Sequence, residues 1–139
     1  MNVHLVADPA DTIALRDVIN AIAGCGVSVT SSLDAGARDV LAHPPEAVVV
    51  AFQDGDPLGT QVLRALRTIV PRPLSIALLA RDTPEARAAA KRAGADYCFD
   101  RSRALSPFTE TLEILAMAKG AALAVSPAAP PAAPVLRAA

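Results

Sequence analysis

The sequence contains no tryptophan, and its only aromatic residues are one tyrosine and three phenylalanines. Surfaces that bind single-stranded nucleic acid are built from aromatic side chains on which bases stack, so this scarcity argues against such a surface. The formal net charge of the 139 residues is −1, whereas nucleic-acid-binding domains carry a clear excess of lysine and arginine. We therefore expect no nucleic-acid partner.

Long apolar runs are missing as well, although hydrophobic residues make up 53% of the chain. None of the short apolar segments approaches the roughly 18 to 20 consecutive residues that a membrane-spanning helix needs. At the amino terminus no basic segment precedes an apolar core, so no signal peptide is expected. The sequence thus predicts a cytoplasmic protein that does not contact a membrane.

Motifs for metals, cofactors and nucleophilic catalysis are also missing. The two cysteines, Cys25 and Cys98, lack the spacing of metal ligands and are expected to be reduced thiols, with Cys98 in the core. His4 lies inside a predicted strand and is expected to be a core or interface histidine with satisfied hydrogen bonds, rather than a phosphohistidine. There is no glycine-rich dinucleotide fingerprint, P-loop or nucleophile elbow. These absences predict a protein that is not an enzyme and needs no cofactor.

Five short apolar or β-branched segments are present and are predicted as strands, at residues 3–7, 27–30, 47–52, 74–80 and 96–100. Helical patterns separate them; in the first, Leu15, Ile19 and Ile22 share one helix face. Strands joined by helical crossovers of this length lie parallel, with right-handed connections. The sequence therefore predicts an α/β, doubly wound, flavodoxin-like fold. Its five-stranded parallel sheet has the order 2-1-3-4-5 and helices on both faces.

Helix ends are predicted from residues that satisfy free backbone groups. Asp11 or Thr12 is expected to cap the first helix, and Asp34 the second. The fourth helix is expected to start after Thr83, which precedes a proline, and to end at Gly94. The expected core positions of the third and fifth helices are Val62, Leu63, Leu66, Ile69 and Val70, and Phe108, Leu112 and Leu115.

The composition changes near residue 120. Residues 1–120 are predicted to form one domain, and from Ala121 onwards the chain is rich in alanine and proline. Repeated prolines cannot continue a helix and lack an amide donor, so such a segment is usually extended. We expect residues 121–139 to be a linker or a disordered tail; a linker would imply a further domain.

Three segments resemble the receiver domain of two-component response regulators, the CheY-like family. The most specific is Gly94-Ala95-Asp96-Tyr97-Cys98-Phe99-Asp100-Arg101-Ser102, which is similar to the fifth strand of receivers and the lysine that follows it. Leu5-Val6-Ala7-Asp8 resembles their first strand, which ends in an acidic pair. Pro45-Glu46-Ala47-Val48-Val49-Val50-Ala51 resembles their third strand, which ends in the phosphoacceptor aspartate. Taken together, the order and spacing of the three segments along the chain indicate a resemblance that covers roughly residues 1–118.

The resemblance implies that the phosphorylation pocket of the family is degenerate here. In receivers, the acidic pair and the phosphoacceptor hold Mg²⁺ through oxygen ligands, and a hydroxyl residue and a lysine contact the phosphoryl group. The acidic pair aligns with Ala7 and Asp8, and the phosphoacceptor aligns with Ala51. The hydroxyl residue aligns with Leu79, and the lysine aligns with Arg101. Only Asp8 keeps the family's residue type. The resemblance therefore implies a pseudo-receiver that is not phosphorylated and that holds no Mg²⁺.

Two acids after the third strand leave an alternative open. If the loop placed Asp54 or Asp56 near Asp8 with Mg²⁺ between them, a rearranged and phosphorylatable pocket would result. Otherwise these residues are turn-forming acids on a solvated loop, and Asp8 is a carboxylate at a helix start rather than a metal ligand. Arg101 is expected to form a structural salt bridge, with Asp8 or Asp100.

The resemblance also implies where partners bind. In receivers, the face of the fourth helix, fifth strand and fifth helix mediates protein contacts and dimers, and Ala86, Ala90 and Tyr97 are its candidate apolar residues here. The leading hypothesis is a signal-transduction module that acts by protein–protein interaction with a sensor kinase or effector domain, or as a homodimer. Alternatively, the chain is the amino-terminal regulatory domain of a larger protein, such as a pilus-assembly or localisation ATPase.

Overall fold

The computed structural model describes residues 1–52, 58–81, 83–101 and 105–125 of the chain. Strands and helices alternate, and all five strands form one parallel sheet in the order β2-β1-β3-β4-β5. The predicted fold is therefore confirmed, and each predicted strand end lies within one residue of the observed one. The elements are β1 Asn2–Val6, α1 Pro9–Asn20, β2 Gly26–Thr30, α2 Leu33–Ala42, β3 Ala47–Ala51, α3 Leu58–Leu66, β4 Leu74–Leu79, α4 Pro84–Ala93, β5 Tyr97–Asp100 and α5 Ser106–Val125.

Two apolar layers cover the faces of the sheet. Alternate strand residues point to opposite sides, so Val48 and Val50 pack with residues of α2, α3 and α4, whereas Val49 and Ala51 pack with residues of α1 and α5. All five residues of β3 are buried because this central strand is covered on both sides. Cys98 lies in the first layer, as predicted. No helix among the described residues is long and apolar enough to cross a membrane.

The helix starts show which capping predictions are correct. At α4, the side chain of Thr83 accepts a hydrogen bond from the Ala86 amide, and Gly94 ends the helix at φ +115°, both as predicted. The predictions for α1 and α2 are wrong. Helix α1 begins earlier, with Asp8 at the N-cap, because Pro9 has the fixed φ that suits a first helical position. Helix α2 has Ser32 at its N-cap instead of Asp34.

The core predictions fail at the end of α3. Helix α3 ends at Leu66, and the chain then turns, so that Val70 is 92% exposed. Ile69 packs only partly against the core. In α5, Phe108 and Leu112 are buried as predicted, and Leu115 is half-buried. Helix α5 continues to Val125 and so includes the first residues of the segment that the composition separates from the domain.

Helix α2 approaches the sheet closely at Gly36. A Cβ atom at this position would lie 2.5 Å from Cγ1 of Val6 and 3.1 Å from Cγ2 of Val62. Any larger residue must therefore displace side chains that are themselves fully buried. The absence of a side chain at Gly36 is what allows α2 to cover β1.

Gly36→Val should lower the free energy of unfolding by about 2–3 kcal/mol, since overpacking a filled core forces neighbouring side chains to move. Urea denaturation of both proteins measures the difference. Gly26→Val is the matched control, because a Cβ at Gly26 meets no atom within 4 Å. A Gly36→Val protein as stable as the Gly26→Val protein would show that the contact of α2 with β1 is not tightly packed.

His4 connects β1, β2 and α2 through a chain of hydrogen bonds. The Thr30 hydroxyl donates to Oδ2 of Asp39 at 2.7 Å, so its oxygen accepts from Nε2 of His4 at 2.6 Å. Nδ1 of His4 then accepts from the Ser28 hydroxyl at 2.8 Å. His4 is buried and satisfied, as predicted. Burial lowers the pKa of His4 below its ordinary value of 6.5, and the nearby Asp39 carboxylate opposes this only in part.

The lowered pKa of His4 predicts less stability in acid. Between the lowered folded value and 6.5, the unfolded chain binds more protons than the folded protein, so the free energy of unfolding falls as the pH drops below 6.5. Urea denaturation at pH 7.5 and 5.5 should show this decrease, and His4→Gln should show a smaller one. His43 is present in both proteins, so an equal decrease would assign the effect to groups other than His4.

Candidate functional site

The carboxyl ends of β1, β3, β4 and β5 meet at one edge of the sheet, where doubly wound folds bind their ligands. The register pairs Val6 with Val50, Ala51 with Leu78 and Leu79 with Asp100. This register brings Ala7, Asp8, Ala51, Leu79 and Arg101 to the same edge. The sequence alignment with receivers therefore corresponds to one place in the structure.

Three of these residues are part of the core. Ala7 and Ala51 are fully buried in the layer beneath α1 and α5. Leu79 is 1% exposed and packs on the other side of the sheet, with Val6 and Phe52. None of the three side chains has an oxygen or nitrogen atom, so they offer neither a metal ligand nor a hydrogen bond to a phosphoryl group.

Asp8 belongs to the start of α1. Its backbone carbonyl accepts hydrogen bonds from the amides of Asp11 and Thr12 and from the Thr12 hydroxyl. Asp54 and Asp56, the acids of the alternative pocket, lie outside the described residues. In the ranges that are described, no group of three or more histidine, cysteine, aspartate or glutamate side chains could hold a metal ion.

Arg101 spans this edge of the sheet. Its Nη1 lies 3.0 Å from Oδ2 of Asp11, its Nη2 donates to the carbonyl of Phe52 at 3.1 Å, and its amide donates to the carbonyl of Leu79. The side chain is 16% exposed. Its Nε–H is buried and has no hydrogen-bond partner among the residues that the structure describes.

Asp11 is the functional residue that the sequence reasoning missed as a partner of Arg101. The expected partners were Asp8 and Asp100, and the ion pair that the structure shows is with Asp11. Asp11 lies in the first turn of α1, three residues after the N-cap. Residues three apart share a helix face, so this carboxylate points to the edge where the strands end. The early start of α1 at Pro9 produces this position.

The face of α4, β5 and α5 carries a different apolar surface from the one predicted. Ala90 is fully buried because it lies on the side of α4 that faces the sheet, and Ala86 is partly buried there; Ala90 is therefore wrong as a surface residue. Tyr97 is 38% exposed, and its ring stacks on Phe99 with the centroids 6.4 Å apart. Among the described side chains of α5, Ile114 and Met117 are the large apolar ones that are exposed.

A cavity of about 490 Å³ lies at the opposite edge of the sheet, where the strands begin. Its lining includes Met1, Glu46, Leu74 and Leu115, together with the ion pair between Arg72 and Asp96. Asp96 accepts hydrogen bonds from the amide and hydroxyl of Ser75, which fixes the start of β5 against β4. The acids here are thus engaged in structural contacts.

Comparison with known proteins shows the fold. The sequence matches no family model and no curated protein. A LuxR-family response regulator from Aurantimonas has a TM-score of 0.72 at 18% identity, covering 84% of this chain and 85% of that one. The receiver domain of a Francisella response regulator has a TM-score of 0.68 at 17% identity, covering 84% of this chain and 98% of that one. A pilus assembly protein (cpaE) from Burkholderia thailandensis has 0.70 at 13%, covering 84% and 98%. The chain has the CheY-like receiver fold.

Arg101→Met should lower the free energy of unfolding by about 1–3 kcal/mol, because it removes the donor that binds the Asp11 carboxylate and the Phe52 carbonyl. Thermal and urea denaturation measure the loss. Arg16→Met is the matched control, since the ion pair of Arg16 with Asp17 is exposed and should contribute less than about 0.5 kcal/mol. Equal stability of the two variants would show that Arg101 does not hold this edge together.

Proposed function

We propose that the chain is a degenerate receiver-like module that is not phosphorylated on aspartate and acts in signal transduction by binding other proteins. The observation that carries the proposal is Arg101, whose guanidinium joins the first turn of α1 to the end of β3 across the edge where receivers are phosphorylated. The proposed role is regulatory and without catalysis, and we propose that the protein acts in the cytoplasm.

The chemistry of the aligned residues supports this proposal. The methyl group of Ala51 cannot form an acyl phosphate, and Leu79 cannot donate a hydrogen bond. Mg²⁺ needs near-octahedral oxygen ligands, and Asp8 is the one acid at the aligned positions. Ala7 and Ala51 also make this edge apolar, and an apolar environment disfavours a bound ion.

The contacts of Arg101 support a module with one fixed conformation. In a phosphate switch, the charge at the strand ends changes when the phosphoryl group arrives. Here the Asp11 carboxylate balances the Arg101 charge within the domain at 3.0 Å. Partner concentration, or a modification elsewhere, would then control the output.

The partner surface that we propose is the face of α4, β5 and α5. Tyr97 on β5 and Ile114 and Met117 on α5 are exposed apolar side chains, and a contiguous exposed apolar patch is typical of a protein contact. A sensor kinase, an effector domain or a second copy of the chain would bind this face.

The amino-terminal regulatory domain of a larger protein is a second candidate. The structural likeness to a pilus assembly protein supports it, because that solved chain has the same fold as this domain. The alanine- and proline-rich segment from Ala121 would then be the linker to an effector such as an ATPase. Reading the gene beyond Ala139 tests this version: a stop codon at that point contradicts it.

The test of the lost switch is an amide NMR titration with Mg²⁺, followed by beryllofluoride as a phosphoryl mimic. We expect no saturable shifts at Ala7, Asp8, Ala51, Leu79 and Arg101. A receiver that keeps its acidic pair and phosphoacceptor is the positive control. Saturable shifts at these residues that disappear in Asp8→Ala would contradict the proposal. They would indicate a rearranged pocket that uses Asp8 with Asp54 or Asp56.

A further inference from the structure

The charges of the chain are unevenly distributed along the sequence. Residues 58–94 contain seven of the 13 lysines and arginines but only two of the 14 acidic residues. The near-neutral total therefore hides one basic and one acidic part. Within this segment, α3 and α4 lie side by side, so the excess positive charge falls on one region of the surface.

Five basic residues lie where α3 and α4 end. The side chain of Arg67 lies against Gly94, the residue that ends α4, and Nη1 of Arg72 donates to the Gly94 carbonyl at 3.1 Å. Lys91 and Arg92 form the last turn of α4. Arg64 lies one turn before Arg67. We call these five residues, Arg64, Arg67, Arg72, Lys91 and Arg92, the basic patch.

Most of this charge is not balanced within the domain. Arg72 pairs with Asp96 at 2.8 Å. The other four are exposed, and among the residues that the structure describes none of them has an acidic partner. The carboxyl ends of two helices supply roughly half a negative charge each. This compensates about one of the four cations, so a clear positive excess remains.

An exposed apolar residue lies beside the basic patch. Val70 is 92% exposed and is situated in the turn between Arg67 and Arg72. An apolar side chain surrounded by cations can contact an apolar group of a partner whose neighbouring residues are acidic. Val70 is thus a second recognition element of different chemistry from the patch.

We infer that the basic patch and Val70 bind a short acidic segment of a protein partner that also carries an apolar residue. The patch covers only the ends of two neighbouring helices, which suits a short segment. Glu110 and Glu113 on α5 are exposed acids elsewhere on the surface. These carboxylates repel an extended polyanion such as nucleic acid or an anionic membrane, but a short segment does not reach them.

This inference goes beyond the proposed function and does not depend on whether the carboxyl edge of the sheet binds a phosphoryl group. It names a surface at the amino edge of the sheet, away from Arg101 and separate from the apolar residues of β5 and α5. The beryllofluoride titration tests only the carboxyl edge of the sheet, so the proposed function and this inference can be contradicted independently of each other.

The experiment measures binding of the full chain to a fluorescein-labelled Glu-Glu-Leu-Glu-Glu peptide by anisotropy, and amide NMR maps the contact. We expect saturable binding at low salt, shifts at Val70, Lys91 and Arg92, and loss of binding in high salt, because screening shortens the reach of surface charges. The Lys91→Gln/Arg92→Gln protein should bind roughly two- to thirtyfold more weakly, the range expected for two exposed ion pairs. Val70→Ser should also weaken binding.

The Arg16→Gln/Arg38→Gln protein is the matched control, since it removes the same charge from exposed positions on α1 and α2, and its affinity should stay within twofold of the original. Glutamine keeps helix propensity, and thermal melting confirms that both variants fold. Absence of saturable binding, equal weakening by both double variants, or shifts outside the patch would overturn the inference. Tighter binding to phosphatidylserine vesicles or to single-stranded DNA than to the peptide would overturn it as well.

Discussion

Burial of β3 on both faces is the constraint on which the rest of the structure depends. The strand lies in the middle of the sheet, and its five residues, Ala47–Ala51, are fully covered by helices on either side. A residue at the end of such a strand lies at the border of the core, where an unpaired charge is costly. Receivers place an aspartate there and balance it with a metal ion. Ala51 extends the core to the edge instead.

Each of the two edges of the sheet has an ion pair among the described residues. At the carboxyl edge, Arg101 binds Asp11 and the end of β3; at the amino edge, Arg72 binds Asp96, which in turn fixes Ser75. Each pair joins elements that are distant in sequence. Removing one partner of a buried ion pair is costly, whereas an exposed pair contributes little; the Arg101 side chain is 16% exposed and that of Arg72 is 44% exposed. These pairs therefore maintain one arrangement of the edges more than they add stability.

The fold could be predicted from the sequence because the alternation of strands and helices leaves few topologies open. The errors arise where tertiary placement decides. Helix α4 is rich in alanine, and its exposed face is not evident from hydrophobicity. The sequence therefore predicts Ala90 wrongly as a surface residue. The partner of Arg101 depends on where α1 starts, and one turn of difference separates Asp8 from Asp11. The apolar pattern of α3 continues to Val70 in the sequence, but the helix itself ends at Leu66.

The separation of the two edges has a functional consequence. A strand of five residues is roughly 17 Å long, about twice the Debye length of roughly 8 Å at physiological ionic strength. Charges at the basic patch therefore have little effect on Arg101 through solvent. In a receiver, a signal starts at the carboxyl edge and reaches a partner surface through conformational change. In this chain Arg101 pairs with Asp11 at the carboxyl edge, and under our proposal an acidic partner at the other edge would act without any such change.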